Sequence, residues 1–400
     1  MKRRWLSLLV LLPLILLTSC WDRIELNRLG MVIAVAIDPA PQGSEDRVEV
    51  TAQVLKPQPP GQTAPGGQGG GTGPFVNIPV TGHGSAEAAQ RVALESARTP
   101  FYGHTQLFIL GEDLAEWDVR VFMERPGRGF ELRRAARIIV ARAVSGKELL
   151  STNVKLADIP AEGIIDILET HYQTGFVPDI RLRDFMARLN SKTGAAIVPA
   201  FALVPRNTGS GGNQGTEMII QAAGTALFRE GRLVGYLSPR ETRGLLWEQG
   251  QVRQTVVNVP FPGSPPDLIV GLGIRRAFSS IRMEADGYRV RADIDIEVRA
   301  DISEYGILRD ISKPRSFSIL NQQLSRIVKD EVEGTVRISQ DELQADIFNL
   351  GEQLRRQDNQ SWQRLAPIWD EIYPNIKVNV TVRSILRHRG TIIVPPGVMN

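Results

Sequence analysis

The sequence holds one cysteine in 400 residues, and that scarcity removes several kinds of chemistry. No internal disulfide can form, no thiolate metal site can be assembled, and no second thiol can serve as a nucleophile. Histidine is almost as sparse. His83, His104, His171 and His388 are scattered, with no H-E-x-x-H and no pair at i,i+4, so the sequence points to no metal site and no cofactor. A G-x-S-x-G elbow is missing as well. Nor does either sign of charge dominate. Of the 47 basic side chains, Lys2, Arg3 and Arg4 lie ahead of residue 20, leaving 44 to face 44 acidic ones. Although the whole chain has a pI of about 9.1, net charge therefore gives no case for nucleic acid as a partner. Beyond the N-terminus, no apolar run approaches the ~20 residues that a membrane-spanning helix takes.

The N-terminus is where the single cysteine acquires a meaning. Lys2, Arg3 and Arg4 form a positive region, Trp5 to Leu17 an apolar run of signal-peptide length, and Leu17-Thr18-Ser19-Cys20 closes it. This is the lipobox pattern of bacterial lipoproteins. The sulfur takes up a diacylglyceryl group, and cleavage leaves Cys20 as the new N-terminus, with its further N-acylation left open. Two acyl chains anchor stably, at ~0.8 kcal/mol per buried methylene, where one holds only marginally. The expectation is a signal peptide over 1–19 and lipidation at Cys20.

The chain beyond it reads as mixed strands and helices. Met31 to Asp38 is an apolar run fit for a strand covered on both faces. Val48, Val50, Ala52 and Val54 alternate with Arg47, Glu49, Thr51 and Gln53 as in a half-buried strand. Pro57 to Pro74 is rich in Gly and Pro; it lacks a Gly-Lys-Ser/Thr ending, which excludes a phosphate loop and leaves a surface connection. Gly82-His83-Gly84 fails as a dinucleotide fingerprint because Glu87 occupies the third glycine position. Helices are expected from Ser85 to Ala97 and from Glu112 to Glu124, with strands over Thr105 to Leu110 and Arg137 to Val144. Stripes at Ile164, Ile165, Leu168 and Tyr172, and at Leu182, Phe185, Met186 and Leu189, mark further helices.

Asn207 to Gly215 is the clearest boundary by composition. After it come a hairpin over Gly224 to Leu237 with Glu230-Gly231 as its turn, a short helix at Glu241 to Trp247, and a strand alternating from Tyr288 to Arg299. Phe317 to Leu354 carries helical spacing and reads as one long amphipathic helix or two broken near Gly334. A helix around Trp362 to Trp369 ends before Pro374, and Ile376 to Arg383 alternates as a last strand. The expected fold class is α+β or mixed α/β and multi-domain, each domain a mixed or antiparallel sheet with packed helices. The expected division is 1–19, 20–206, a linker or loop at 207–216, and 217–392.

Several stretches taken together resemble the Ger(x)C family of spore germination proteins, the lipoprotein subunits of nutrient germinant receptors. They are Cys20-Trp21-Asp22-Arg23-Ile24-Glu25-Leu26, Phe101-Tyr102-Gly103-His104, and Phe108-Ile109-Leu110-Gly111-Glu112-Asp113-Leu114-Ala115. In the C-terminal half they are Gly224-Thr225-Ala226-Leu227-Phe228, Glu241-Thr242-Arg243-Gly244-Leu245-Leu246-Trp247, Asp346-Ile347-Phe348-Asn349-Leu350-Gly351, Trp362, and Trp369-Asp370-Glu371-Ile372-Tyr373-Pro374. The Pro57 to Pro74 insert and the Phe122 to Gly127 segment depart from the family pattern. The resemblance implies a non-enzymatic subunit on the outer face of the spore inner membrane, beside two membrane-embedded subunits, built of mixed sheet-and-helix domains commonly described as three. It carries over no catalytic residue; only Cys20 transfers as a functional position. A lipoprotein that binds a solute for a transporter is the alternative, which lipid anchoring and α/β layering suit but the lack of a regular doubly wound succession does not.

Overall fold

In the computed structural model, residues 28–56, 73–123, 135–154, 156–191, 193, 195–207, 216–261, 269–305 and 314–387 are described. The signal peptide, Cys20, most of the Gly/Pro-rich insert, the tip of the 207–216 stretch and His388 lie outside them. Strands and helices form two mixed sheets with helices packed on them, the α+β class that the patterns predict.

The large sheet comprises β1 (Leu29–Pro39), β2 (Val48–Leu55), β3 (Phe75–Gly82), β4 (Thr99–Phe101), β5 (Leu107–Gly111), β6 (Arg137–Ala141), β7 (Ala195–Asn207), β8 (Thr216–Arg229) and β9 (Arg232–Leu237). Its order is β3-β2-β1-β5-β6-β7-β8-β9, with β4 on the start of β1. The central pairs β1-β5, β5-β6 and β6-β7 are parallel and the flanking pairs antiparallel, so the sheet departs from a regular doubly wound one. Parallel centres need cover on both faces. Here α1 (Ser85–Glu95) and α4 (Leu182–Leu189) lie on one side, and α2 (Gly146–Ser151) and α3 (Pro160–Glu169) on the other. That cover explains the unbroken apolar run of β1. A bulge between Val32 and Ala34 sends Val32, Val35 and Ile37 to the α1 side and Ile33, Ala34 and Ala36 to the α2 side.

The same cover corrects the reading of β2 as half-buried. Thr51 and Gln53 are fully buried because α2 and α3 lie over them. Gln53 donates to Asn77 Oδ1 at 2.9 Å and to the Leu150 carbonyl at 3.0 Å, and accepts from the Ala161 N–H at 3.2 Å. Buried amides are tolerated when satisfied in this way. Two helices also differ from expectation. The segment after Gly111 is helical over Glu112–Ala115 and again over residues 120–123, with a break between them, where the Val119 N–H is diverted to the Gly231 carbonyl at 2.9 Å. Further on, α6 (Pro314–Arg337) passes through Gly334 unbroken, continues as a wider turn over Ile338–Glu342, and only then gives way, with α7 (Leu350–Gln357) following.

The small sheet runs β10-β11-β12-β13, from β10 (Val256–Pro260), β11 (Ile269–Asp286), β12 (Arg289–Tyr305) and β13 (Lys377–Leu386). On β12, Val290, Ala292, Ile294, Ile296 and Val298 are buried while the intervening residues are not, as the sequence alternation predicts, except that Tyr288, on the same face in that reading, lies exposed ahead of the strand. Leu320, Leu324, Val328 and Val332, one turn apart on α6, cover that face. Each such side chain contributes about 1.5–3 kcal/mol by leaving water. The two sheets share one core cluster, because Ile197 and Leu227 of the large sheet join Leu245 and Trp247 of α5 (Pro239–Glu248) and the apolar face of β12. β7 and β8 pair through the 207–216 stretch, from Asn207 with Thr216 to Ala195 with Arg229, so the large sheet is continuous across it.

Candidate functional site

Cys20, the one site residue named from the sequence, lies outside the described residues. The chain enters the described structure at Arg28 and is fixed from Leu29, where β1 pairs with β4. Among the described residues no three His, Cys, Asp or Glu side chains gather into a metal-binding group, and no helix is long and apolar enough to cross a membrane. The three described histidines serve separate local contacts. His83 is 3.7 Å from Asp46, the His104 ring stacks edge-on against Phe101, and His171 Nδ1 lies 2.6 Å from the Leu168 carbonyl.

What the structure does bring together is the set of motif residues from the C-terminal half. Asp346 is buried at the start of α7 and accepts from the Leu350 and Gly351 N–H groups, both at 2.8 Å, and from Trp369 Nε1–H at 3.1 Å. Two orphan donors of the helix N-terminus are thereby satisfied. Burial raises the Asp346 carboxyl above the usual range, against the lowering effect of those donors. Trp369 stacks edge-on against Trp362, with centroids 5.1 Å apart, and Gly351 leaves room for the Trp362 ring, which a Cβ would meet at 2.9 Å. Asn349 adopts φ 54°. With its side-chain oxygen turned toward α4, it accepts from Arg188 at 2.8 and 3.2 Å. Desolvation lowers Arg188 and pushes Glu248 at the end of α5 up to about 8, each charge opposing the other's shift.

A second staple joins α5 to α6. Glu331, nearly fully buried, accepts from Arg243 Nε–H and Nη2–H and from Trp247 Nε1–H, the last at 2.8 Å. Gly244 allows the approach, since a Cβ there would stand 2.4 Å from the Glu331 carbonyl oxygen. Thr225 and Thr242 share a hydroxyl hydrogen bond of 2.9 Å that ties β8 to α5. In the N-terminal half, Tyr102 donates to the Ala89 carbonyl at 2.8 Å, and Gly111 leaves space for Asp38, which accepts from the Gly146 and Lys147 N–H groups. Sequence reasoning missed Asp346, Arg188 and Glu331 as partners; Asp346 stands three residues ahead of the N-cap Asn349, where the usual capping pattern does not point to it.

A groove of about 870 Å³ lies beside the tip of the β11-β12 hairpin. Its floor includes Ile368 and Ile372, and its rim carries Glu284, Asp286 and Glu371 against Arg289, Arg291 and Lys377. None of these lining carboxylates or cations is arranged as a nucleophile with its base.

The fold and these contacts define a two-sheet α+β protein whose motif residues hold elements together. Residues 22–203 match the family described as "Spore germination protein N-terminal domain", and residues 223–390 match "Spore germination B3/ GerAC like, C-terminal". The chain belongs to the Ger(x)C family of spore germination proteins. Spore germination protein KC of Bacillus subtilis (strain 168) is 25% identical over 398 residues, covering 96% of this chain and 95% of its own. Spore germination protein B3 of the same strain is 25% identical over 389 residues, with 95% and 96% covered. The crystal structure of the GerBC protein has the same fold, with a TM-score of 0.55 at 18% identity, over 88% of this chain and 97% of that one.

Proposed function

We propose that this chain is the lipid-anchored, non-enzymatic subunit of a nutrient germinant receptor. It is exported across the cytoplasmic membrane, loses residues 1–19, and is held by diacylglyceryl-Cys20 on the outer face of the spore inner membrane beside two membrane-embedded subunits. The observation that carries the reading is the pair of family matches over 22–203 and 223–390, with the lipobox and Cys20-Trp21-Asp22 at their upstream limit. The packing roles of the motif residues support a non-catalytic subunit. The same proposal divides the chain into 20–206 and 217–392, close to the limits of the two matches, as sequence units that share one sheet.

Two experiments test it. Deleting the gene should block germination by nutrients and leave a bypass chemical effective; normal nutrient germination, with no paralogue covering the loss, would count against the receptor role. Metabolic labelling with a tagged fatty acid should mark the wild-type chain and not Cys20→Ala. Equal labelling of both would place the lipid elsewhere. The substitution should leave the fold intact and remove the high local concentration that anchoring gives beside the partners.

A further inference from the structure

One end of the large sheet carries apolar side chains that the fold leaves in water. Leu156 is fully exposed at 107% and sits at φ 64°, a left-handed conformation that L residues with a Cβ disfavour and that turns normally fill with Gly, Asn or Asp. Beside it, Val154 bridges to Ala157, and the Val154 side chain packs on the core beneath α3. Leu94 is 83% exposed and Val76 39%. Within the isolated chain none of the three gains what burial would give.

Their positions share a level. β1 starts at Leu29, and antiparallel pairing puts Leu55 and Phe75 at that same end. α1 follows β3 and leads back to Thr99, which pairs with Leu29, so Leu94 in its last turn stands there too. α2 begins where Gly146 meets Asp38 and ends where the Leu150 carbonyl meets Gln53 and Asn77, so its axis runs toward the Leu29 end and the Leu156 turn follows it. Leu94 and Val76 stand on the α1 side of the sheet and Leu156 on the other. Arg28, Lys56 and Arg98 lie at the same end, with Glu95.

The proposed anchor limits how far this end can stand from the lipid. Cys20 and Leu29 are nine positions apart, a reach of at most ~30 Å. We propose that this end of the large sheet rests on the lipid surface, with Leu156, Leu94 and Val76 entering the acyl boundary and the cations meeting anionic headgroups. The proposal builds on the reading of Cys20 as the lipid anchor. Apolar points spread around both faces of a sheet end match a planar partner better than the single groove of another protein.

The single native cysteine makes the test direct. The full lipidated chain carrying Leu156→Cys, Leu94→Cys or Val76→Cys is labelled with an environment-sensitive fluorophore and placed in vesicles of phosphatidylcholine and phosphatidylglycerol. Val121→Cys is the control; it is exposed and lies at the opposite end, where the Ser85 hydroxyl donates to the Phe122 carbonyl. Labels at 156, 94 and 76 should shift to the blue, brighten several-fold and be quenched by nitroxide lipids, with none of this at 121. A label at 156 that behaves like the one at 121 overturns the proposal. So does one that responds only when membrane proteins are added and is not quenched by the lipid probe, because a protein then covers the site. Labelling of the unsubstituted chain, read before vesicles are added, is a separate result: a reactive Cys20 removes the anchor itself.

Discussion

Removing the Asp346 carboxylate strips three buried donors of their acceptor at once. In Asp346→Ala, the Leu350 and Gly351 N–H groups at 2.8 Å and the Trp369 indole at 3.1 Å all lose their partner in a site from which water is excluded. An orphaned buried donor costs about 1–3 kcal/mol. Desolvation of the carboxylate, which works against the wild type, is relieved, so the net loss should be about 3–4 kcal/mol rather than the full sum. Urea denaturation of the full chain reads it as a lower midpoint at unchanged slope. Trp369→Phe supplies the control, since it removes one donor and keeps most of the ring packed against Trp362. In that background Asp346→Ala should cost less by about 1 kcal/mol or more, a coupling expected of groups in direct contact. A loss below about 1 kcal/mol, or costs that simply add, would refute the view that this carboxylate pins α7 and the tryptophan pair.

Gly224→Ala should destabilise by at least about 2 kcal/mol, because φ is 97° and a Cβ would meet the Leu237 carbonyl oxygen at 2.1 Å; a mutant as stable as wild type would show that β8 can shift. Glu248 lies up at about 8 in the folded chain, so the folded state holds a proton that the unfolded state has released. Stability should therefore fall as pH rises from about 5 to 8, by on the order of 2 kcal/mol, and Glu248→Gln should flatten that slope. The opposite slope in the wild type, or an unchanged one in the variant, would sink the assignment. Leu156→Asn should keep or raise the melting temperature, since it relieves about 1 kcal/mol of left-handed strain and gives up no burial; a clear fall would mean that Leu156 packs on something.

How far the sequence could be read depended on whether local pattern or distant contact decided each element. The β12 alternation and the Glu230-Gly231 turn, with φ of 51° and 84°, are local matters and were legible. The capping boxes at Ser145 and Ser238 are equally local but went unread. The break after Glu342 was not legible, because Gln344 to Leu354 still carries helical spacing; it is the buried carboxylate of Asp346, in contact with Trp369, that starts a new helix instead. Gly334 suggested a break that its open surroundings did not require. Thr51 and Gln53 looked like a solvent face, and only the helices that later cover them make them interior. The motif residues were visible as a series, while the partner each one holds lies up to 161 residues away, as Arg188 does from Asn349.

The continuity of the large sheet through β7 and β8 bears on how the chain can be made and cut. Ala196, Val198 and Ala200 of β7 are fully buried, and their outer neighbour is β8, which arrives only with residues 216–229. A chain made from its N-terminus therefore presents an unpaired, apolar strand until β8 and then β9, ending at Leu237, have been added to the sheet. Such an edge invites pairing with other chains. Expression of residues 20–206 alone should accordingly yield aggregates, whereas a fragment that ends after Leu237 carries all nine strands of the large sheet.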